Sequence, residues 1–441
     1  MKNQVYIKNT IKPFNGKIFV SSDKSISIRC ILLSSIAVGK SKIFNLLESE
    51  DVLNAIKVVK KIGVKIIKKK NHIEILGVGI NGFDAKKNTI LNAGNSGTLA
   101  RCILGLCSGI NNQIKLVGDK SLSRRDFKRV IKPLNSFGVN IKSKAGMLPI
   151  IFEGTNFLTP IKFIENKGSA QIKTSIIFSA INTPGITEIK SKKSRNHTEL
   201  LLKHLNYPIK IKKIKDYDII KIQGLSQLNP FEYKIPGDIS SASFFIVLTL
   251  LSKRSKLLIK DVNINPSRIG ILKILKEMNG NINIVNKKYY KGEIIGDIKI
   301  KSTNNFKGIN CPSKINSSAI DEFLLIFLVA AKSKGISTFT NLAELNQKES
   351  PRLKIASKIL KMMGVKVVSD NNSIKIYGNP KLKINKKIQI KNYMKDHRVF
   401  MMSVIAAMSI GGNWKIYDPD SVETSFPSFI KIIKNLGGKF N

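Results

Sequence analysis

A triplet of ionisable residues begins the last long apolar stretch of the chain. In "MKDHRVFMMSVIAAMS", Asp396, His397 and Arg398 precede an almost wholly apolar run of helical length. Aspartate is a favoured helix N-cap, so capping would explain Asp396. A helix N-terminus also presents free N–H groups and the positive end of the helix dipole, which together bind anions. The triplet therefore indicates either an ordinary cap or the edge of an anion site, and one copy does not distinguish the two.

Five other segments are built in the same way. Each has a polar head and an apolar helical body, and the heads recur about every 75 residues. Capping does not explain the basic groups in the heads, because a cation beside a buried helix needs an anion or a partner to compensate its charge. The six heads contain Lys24, Asn95, Ser169, Asp238, Asp321 and Asp396. The basic and imidazole groups near them are Lys24, Arg29, Arg101, His397 and Arg398.

A second series of segments alternates with the first. Each member is an amphipathic helix that ends at a glycine or an asparagine and is followed by a short β-branched strand. These small residues are expected at the left-handed position just beyond a helix end. They are Gly63, Gly138, Asn206, Gly280, Gly364 and Gly437. Two series with one period predict six copies of a strand-and-two-helix unit, three in each of two domains, since 441 residues exceed one ordinary core.

The composition is that of a globular protein with an unusual charge. Hydrophobic residues make up 42% and charged residues 24%, and the formal net charge is +46. Such an excess is typical of proteins that bind nucleic acid or another polyanion. Here the lysines are scattered over every segment, with no basic arm and no interleaved aromatic set. We therefore attribute the charge to composition bias, do not expect nucleic-acid binding, and expect the positive field to steer small anions.

Cysteines, histidines and apolar runs restrict the class of protein further. The four cysteines have no zinc spacing and are too few to cross-link a chain of this length, which favours a reducing cytoplasm. The four histidines form no metal set, so no metal is expected. The longest apolar runs are too short for a membrane span, and the N-terminus lacks the apolar region of a signal peptide.

The polar heads and the loops between them resemble the EPSP synthase family of enolpyruvyl transferases. The similarity extends from about residue 15 to 430, in order and at the family's spacing. The matching segments are "DKSISIR" (23–29), "GNSGT" (94–98), "GDKSLSRR" (118–125), "GSAQ" (168–171), "KSRNHTE" (193–199), "GDISSASFF" (237–245), "IDE" (320–322), "KESPRL" (348–353), "DHR" (396–398) and "SFP" (425–427).

The resemblance implies a fold and a domain organisation. The fold is α/β (α+β), a two-domain inside-out α/β barrel of six βαβαββ repeats, three per domain around buried parallel helices. A domain of residues 23–236 is inserted into a discontinuous domain of residues 1–22 plus 237–441. The inserted domain is expected to bind shikimate 3-phosphate. The discontinuous domain is expected to carry the phosphoenolpyruvate side and the acid/base residues, with the active site in the interdomain cleft.

The resemblance also implies a reaction and its residues. The family transfers the enolpyruvyl group of phosphoenolpyruvate to the 5-hydroxyl of shikimate 3-phosphate and releases phosphate, without metal or organic cofactor. The expected shikimate 3-phosphate ligands are Lys24, Ser25, Arg29, Ser169, Gln171, Ser194, Asp321 and Lys348. The expected phosphoenolpyruvate ligands are Lys24, Asn95, Gly97, Arg125, Gln171, Arg352, His397 and Arg398. The expected acid/base groups are Asp321, which takes the hydroxyl proton, and Glu349 with Lys24, which handle the methylene proton.

Further expectations follow from the family. Asp396 completes the phosphoenolpyruvate side, and Glu322 is the next candidate base should Asp321 not be the one. The partners are the two small substrates, the chain is expected to be a monomer, and the inhibitor glyphosate is expected to lie beside Gly97.

Three departures and two alternatives qualify the assignment. Thr424 stands where the family usually has lysine, Pro351 where it has aspartate, and Ser22 where it has glycine. One alternative is the sister transferase that acts on UDP-N-acetylglucosamine, which usually has Lys-Asn where this chain has Lys24-Ser25. The other is a non-catalytic, polyanion-binding relic of the same fold, against which the retained carboxylates argue.

Overall fold

A computed structural model describes residues 3–440. The chain forms two compact units. The inserted unit consists of Ser22–Ile235 and Tyr290–Glu293. The discontinuous unit consists of the chain up to Ser21, Pro236–Tyr289 and the chain from Ile294 onward. The sequence did not predict that Tyr290–Glu293, the tip of a hairpin, belongs to the inserted unit.

The described residues contain 13 α-helices. They are α1 (Lys24–Ile36), α2 (Glu50–Lys61), α3 (Gly97–Leu106), α4 (Lys128–Ser136), α5 (Ala170–Ile181), α6 (His197–His204), α7 (Ile239–Leu251), α8 (Gly270–Glu277), α9 (Asn316–Ala319), α10 (Phe323–Ala331), α11 (Arg352–Met362), α12 (His397–Ile410) and α13 (Phe429–Asn435).

The same residues contain 23 strands in six sheets. In the inserted unit they are β3 (Val38–Phe44), β4 (Lys65–Lys68), β5 (His72–Val78), β6 (Thr89–Asn92), β7 (Ile114–Val117), β8 (Asn140–Ser143), β9 (Ile150–Glu153), β10 (Lys162–Glu165), β11 (Ile186–Lys192), β12 (Ile209–Lys213), β13 (Tyr217–Gln223) and β14 (Glu232–Lys234). In the discontinuous unit they are β1 (Gln4–Ile7), β2 (Asn15–Ile18), β15 (Lys256–Asn263), β16 (Asn281–Tyr290), β17 (Glu293–Lys301), β18 (Asn310–Cys311), β19 (Gly335–Phe339), β20 (Lys366–Ser369), β21 (Ile374–Gly378), β22 (Lys387–Ile390) and β23 (Asn413–Tyr417).

Five sheets share one four-stranded topology and the sixth has three strands of it, which confirms the six predicted repeats. The strand orders are β14-β3-β5-β4, β6-β7-β9-β8, β10-β11-β13-β12, β16-β17-β15-β2, β18-β19-β21-β20 and β1-β23-β22. Each sheet contains one parallel pair of strands, and one strand of that pair also pairs antiparallel with a third strand. For example, β6 and β7 are parallel, and β7 is antiparallel to β9. The described strands form six separate sheets, each with two edges, and no closed barrel. The barrel of the expected fold is therefore not a closed sheet.

Six helices form the centre of the two units. In the inserted unit α3 contacts α1 and α5, and in the discontinuous unit α7, α10 and α12 contact one another. These helices are buried on almost every side, as in α7, where Ile239–Leu250 are all buried. A helix that is apolar all round must lie inside a core. They are the apolar bodies of the six polar heads, and each unit has its own hydrophobic core.

The helix ends confirm the capping prediction at five of the six heads. Side chains of Asp23, Ser96, Ser169, Asp238 and Asp396 accept hydrogen bonds from the first turns of α1, α3, α5, α7 and α12. The head before α10 has no such side-chain bond. The predicted left-handed residues have positive φ with one exception: beyond α8 it is Asn279 (φ 67°), so the assignment of Gly280 is wrong by one residue.

Candidate active site

The first polar head of the inserted unit holds a lysine against a carboxylate. Asp23 Oδ1 accepts a hydrogen bond from the N–H of Ile26. Nζ of Lys24 donates over 2.9 Å to Oδ2 of Asp51, a buried residue in the first turn of α2. The side chain of Lys24 remains 20% exposed. Asp51 therefore orients an accessible ammonium group at the N-terminus of α1, where an anion would be favoured.

Arg29, one turn further along α1, is buried and held at three points. Its Nε donates to Oγ1 of Thr198 (2.7 Å), its Nη2 to Oγ1 of Thr174 (3.1 Å) and its Nη1 to the carbonyl of Ser25 (3.0 Å). Three of the five guanidinium N–H groups are thereby used within the unit. The rest can bind a carboxylate next to the half-buried Ser25, which stays a prediction.

The head before α3 brings an asparagine and an arginine together. Oδ1 of Asn95 accepts from Nη2 of Arg125 (3.0 Å), and its amide donates to Oδ2 of Asp119 (2.6 Å). Gly97 opens α3, and a Cβ built on it would lie 2.8 Å from Nη1 of Arg101 and 2.9 Å from Nη1 of Arg125. A glycine here lets two guanidinium groups approach the helix N-terminus.

Gln171 lies beside this cluster. Its Oε1 accepts from Nη1 of Arg101 (2.7 Å) and its Nε2 donates to Oγ1 of Thr98 (3.0 Å). The guanidinium carbon of Arg101 also stacks 4.8 Å from the ring centre of Phe127. Arg101 is therefore a support for Gln171, a role the sequence did not specify.

Two serines of the inserted unit flank α5 and α6. Ser169 caps α5 through its Oγ, which leaves its hydroxyl proton available to a ligand. Ser194 lies in the loop before α6, and within residues 3–440 its buried Oγ has no hydrogen-bond partner. A fully buried ion pair joins the two helices, with Nζ of Lys173 2.6 Å from Oε1 of Glu199. Such a pair tolerates little displacement, because either charge alone would be very costly to bury.

Asp321 is the centre of the site residues in the discontinuous unit. It lies in the turn between α9 and α10, its side chain 14% exposed. Its Oδ1 is 3.5 Å from Nη1 of Arg352 and 3.6 Å from Nζ of Lys348, and its Oδ2 is 3.8 Å from Nη2 of Arg398. A partly exposed carboxylate among three cations can take a proton while the cations hold an anionic substrate.

Arg352 is fixed by two carboxylates besides Asp321. Its Nε and Nη2 donate to Asp396 over 2.8 and 3.1 Å, and its Nη2 to Oε2 of Glu349 over 2.5 Å. Burial raises the pKa of Asp396, but the Arg352 guanidinium outweighs it and holds the pKa below its usual range. Burial likewise opposes the charge of Arg352, whose pKa the carboxylates nevertheless raise above its ordinary value. Although Pro351 stands where the family usually has aspartate, these bonds hold Arg352 in place.

The other departures lie in ordinary surroundings. Thr424 is half-buried, with its Oγ1 3.3 Å from Nδ1 of His397 and donating to the carbonyl of Ser421 (2.9 Å). Ser22 is buried. Thr424 therefore supplies a neutral hydroxyl beside His397, where the family's lysine would add a charge.

Each unit brings together its own set of predicted residues. The inserted unit groups Lys24, Ser25, Arg29, Asn95, Gly97, Arg125, Ser169, Gln171 and Ser194, and the discontinuous unit groups Asp321, Lys348, Glu349, Arg352, His397 and Arg398. Sequence reasoning missed the supporting residues Asp51, Thr174, Thr198, Lys173 and Glu199. Asp51 and Glu199 had a local signal, as acidic residues in the first turns of α2 and α6.

Residues 3–440 contain neither a candidate metal cluster nor a candidate membrane-spanning helix. No group of three or more His, Cys, Asp or Glu side chains is arranged to hold a metal ion. No helix in this part of the chain has the length and apolar character to cross a membrane.

The chain is similar to known proteins over almost its whole length. Residues 8–433 match the family model described as EPSP synthase (3-phosphoshikimate 1-carboxyvinyltransferase). The chain belongs to the EPSP synthase family. The 3-phosphoshikimate 1-carboxyvinyltransferase of Ruthia magnifica is 38% identical, covering 98% of this chain and 99% of that protein. That of Petrotoga mobilis is 36% identical, covering 96% and 97%.

Solved structures give the same result for the family fold. The EPSP synthase of Acinetobacter baumannii superposes with a TM-score of 0.86 and 32% identity, covering 99% of each chain. The enolpyruvyl transferase NikO of Streptomyces tendae has a TM-score of 0.74 at 12% identity, which is a likeness of fold alone.

Proposed function

We propose that this enzyme transfers the enolpyruvyl group of phosphoenolpyruvate to the 5-hydroxyl of shikimate 3-phosphate and releases phosphate. This is the enolpyruvyl transfer of the shikimate pathway, which leads to aromatic amino acids. The observation that carries the proposal is the partly exposed carboxylate of Asp321 among Lys348, Arg352 and Arg398. Both substrates are anions at two positions, so the reaction requires this concentration of positive charge.

Different residues bind the different charged groups of the two substrates. In the inserted unit Ser25 and Arg29 bind the shikimate carboxylate, Ser169 and Ser194 bind its phosphate, and Gln171 lies along the ring. Lys348 of the discontinuous unit adds a charge for the same phosphate. Phosphoenolpyruvate is bound by Lys24, Asn95, the backbone at Gly97, Arg125, Arg352, His397 and Arg398. These assignments rest on the family resemblance and on the contacts described above.

Two proton transfers make the reaction a general acid–base process. The 5-hydroxyl oxygen forms a bond to carbon 2 of phosphoenolpyruvate while Asp321 takes the hydroxyl proton and carbon 3 gains a proton from Glu349 or Lys24. In the tetrahedral intermediate the bond from carbon 2 to the phosphate oxygen then breaks, and the phosphate leaves with the proton that Asp321 took. The proton returns from the methyl group to the same acid/base pair, which leaves the enol ether and inorganic phosphate.

The direct test is phosphate release from shikimate 3-phosphate plus phosphoenolpyruvate. We expect release only when both are present, with enolpyruvylshikimate 3-phosphate as the second product. Replacement of shikimate 3-phosphate by UDP-N-acetylglucosamine should give none, which separates the sister transferase. Absence of release from either acceptor would leave the non-catalytic relic and overturn the proposal.

A methyl group at position 97 should weaken the inhibitor more than the substrate. Gly97→Ala places a Cβ within 2.9 Å of two guanidinium groups, whose flexible ends must move. Glyphosate, the longer ligand, should lose more affinity than phosphoenolpyruvate, and the ratio of its Ki to the phosphoenolpyruvate KM should rise about tenfold. The KM for shikimate 3-phosphate is the internal control. Equal losses for inhibitor and substrate would overturn the placement of the inhibitor.

A lysine at position 424 should restore the missing cation. Thr424→Lys adds a charge beside His397, and we expect the KM for phosphoenolpyruvate to fall about threefold or more. Thr424→Met, of similar length and without charge, is the matched control and should not improve KM. An unchanged KM with lysine would indicate that another basic side chain already supplies this charge.

We propose further that the enzyme is a cytoplasmic monomer whose partners are its two small substrates. All four cysteines are buried free thiols, which supports a reducing compartment. The scattered lysines support steering of anions more than binding of nucleic acid.

A further inference from the structure

Glu322 is a buried carboxylate that the proposed reaction does not use. It follows Asp321 directly, yet its side chain is fully buried whereas that of Asp321 is 14% exposed. A buried carboxylate is very costly unless charges or hydrogen bonds compensate it. Its burial also makes it a poor substitute for Asp321 as the base, in contrast to the expectation from the sequence.

Glu322 is held by Ser240 of α7, which is held in turn by Arg268 in the turn before α8. Oγ of Ser240 donates to Oε1 of Glu322 over 2.5 Å. Ser240 accepts in turn from Nη2 of Arg268 (2.8 Å), which also lies 3.2 Å from Oδ1 of Asp238. Arg268 and Ser240 are both buried, so this chain of contacts is rigid and shielded from water.

The oxygen of Glu322 that accepts from Ser240 also faces Arg398. Nη1 of Arg398 lies 3.6 Å from Oε1 of Glu322 and donates to the carbonyl of Asp321 over 3.0 Å. Nη2 of the same guanidinium is 3.8 Å from Oδ2 of Asp321. Arg398 is thus placed between two carboxylates, one fully buried and the other partly exposed.

The two carboxylates compete for one guanidinium. Glu322 gives Arg398 a fixed counter-charge at 3.6 Å, while Asp321 lies at 3.8 Å from the same guanidinium. Without the Glu322 charge, Arg398 would move closer to Asp321, which withdraws a cation from phosphoenolpyruvate and occupies the base. Removal of one charge from a buried network thereby misplaces a residue that touches the substrate.

We propose that Glu322 is a positioning residue that fixes Arg398 for phosphoenolpyruvate, and that Ser240 and Arg268 hold Glu322 in place. The inference rests on the proposed function, because it takes Arg398 as a ligand of phosphoenolpyruvate. It assigns to the second acidic residue of "IDE" a role distinct from that of the first.

A double-mutant cycle tests the coupling in the full-length enzyme. Glu322→Gln keeps the size of the side chain and an acceptor for Ser240, but removes the charge. We expect it to lower kcat/KM for phosphoenolpyruvate about twentyfold, and by less than about twofold in an Arg398→Ala background, because coupled residues are not additive. The dissociation constant of shikimate 3-phosphate should stay nearly unchanged. Equal losses in both backgrounds would overturn the inference.

Further variants separate positioning from folding. Glu322→Asp keeps the charge and should recover part of the activity that Glu322→Gln loses, which a purely structural role of side-chain volume would not produce. Glu277→Gln makes the same change on the exposed face of α8 and should behave as wild type. Fluorescence of Trp414, the single tryptophan, which lies in this unit, reports whether the unit is folded.

The outcomes are distinguishable from failure of the proposed function. Should Glu322→Gln not fold, Ser240→Ala removes only the hydroxyl and should give a smaller loss with the same dependence on Arg398. Full activity of Arg398→Ala would overturn both the assignment of Arg398 and this inference. A wild-type enzyme without phosphate release would instead overturn the proposed function itself.

Discussion

Replacement of Asp321 by asparagine should lower kcat about a thousandfold, because a positioned general base contributes on the order of 10² to 10⁴. The amide retains the shape of the side chain but cannot take the proton of the 5-hydroxyl. Lys348, Arg352 and Arg398 surround the carboxylate and remain in the variant. Binding of shikimate 3-phosphate should therefore survive, and the loss should fall on turnover.

Steady-state phosphate release and calorimetry of shikimate 3-phosphate binding measure the two quantities separately. The matched control is Asp370→Asn, the same change at an exposed turn of the same unit, which should leave kcat unchanged. Near-normal turnover of Asp321→Asn would exclude Asp321 as the base. Glu349 would then be the better candidate, since it is half-buried and Glu322 is fully buried.

Replacement of Asp396 by asparagine should lower the free energy of unfolding by about 3–5 kcal/mol, the usual effect of removing one partner of a buried ion pair. Asp396 accepts two hydrogen bonds from Arg352 and one from Oγ of Ser350 (2.8 Å), and it caps α12. Asparagine can still cap the helix, but it removes from Arg352 the buried counter-charge that accepts two of its hydrogen bonds. The loss should therefore be electrostatic.

The effect should depend on pH in a defined direction. Because the pKa of Asp396 is lowered in the folded protein, its stabilisation is present above the ordinary aspartate pKa, about 3.9, and is lost as pH falls through the folded-state pKa. The difference between wild type and Asp396→Asn should be complete at pH 7 and should shrink only below about pH 4. A difference that grows with acidity would contradict this account.

Urea unfolding followed by Trp414 fluorescence measures this stability in the unit that contains Asp396. The matched control is Asp420→Asn, which breaks the exposed pair of Asp420 with Lys395 (2.9 Å). Exposed pairs contribute little, so we expect a change within about 0.5 kcal/mol. Comparable losses in the two variants would mean that burial does not determine the strength of the Asp396 contacts.

Much of the fold is predictable because its signals are local. A helix cap joins residues two or three positions apart, and a left-handed residue follows directly on a helix end. Both recur in each repeat, so the sequence alone indicated six units, six central helices and five of the caps. The head before α10 has no side-chain cap at its N-cap residue, and its Asp321 lies among Lys348, Arg352 and Arg398. The one local error, Gly280 for Asn279, arose because both residue types adopt that conformation.

The types of the site residues were also predictable, but the residues that hold them in place were not. The resemblance identified Lys24, Arg352 and Arg398 from short motifs whose order is fixed along the chain. Their partners have no such motif: Asp51 lies 27 residues from Lys24, and Asp396 lies 44 from Arg352. Ser240 reaches Glu322 across 82 residues. Ion pairs and buried hydrogen bonds depend on which helices pack together, and only the tertiary structure decides which charge compensates which.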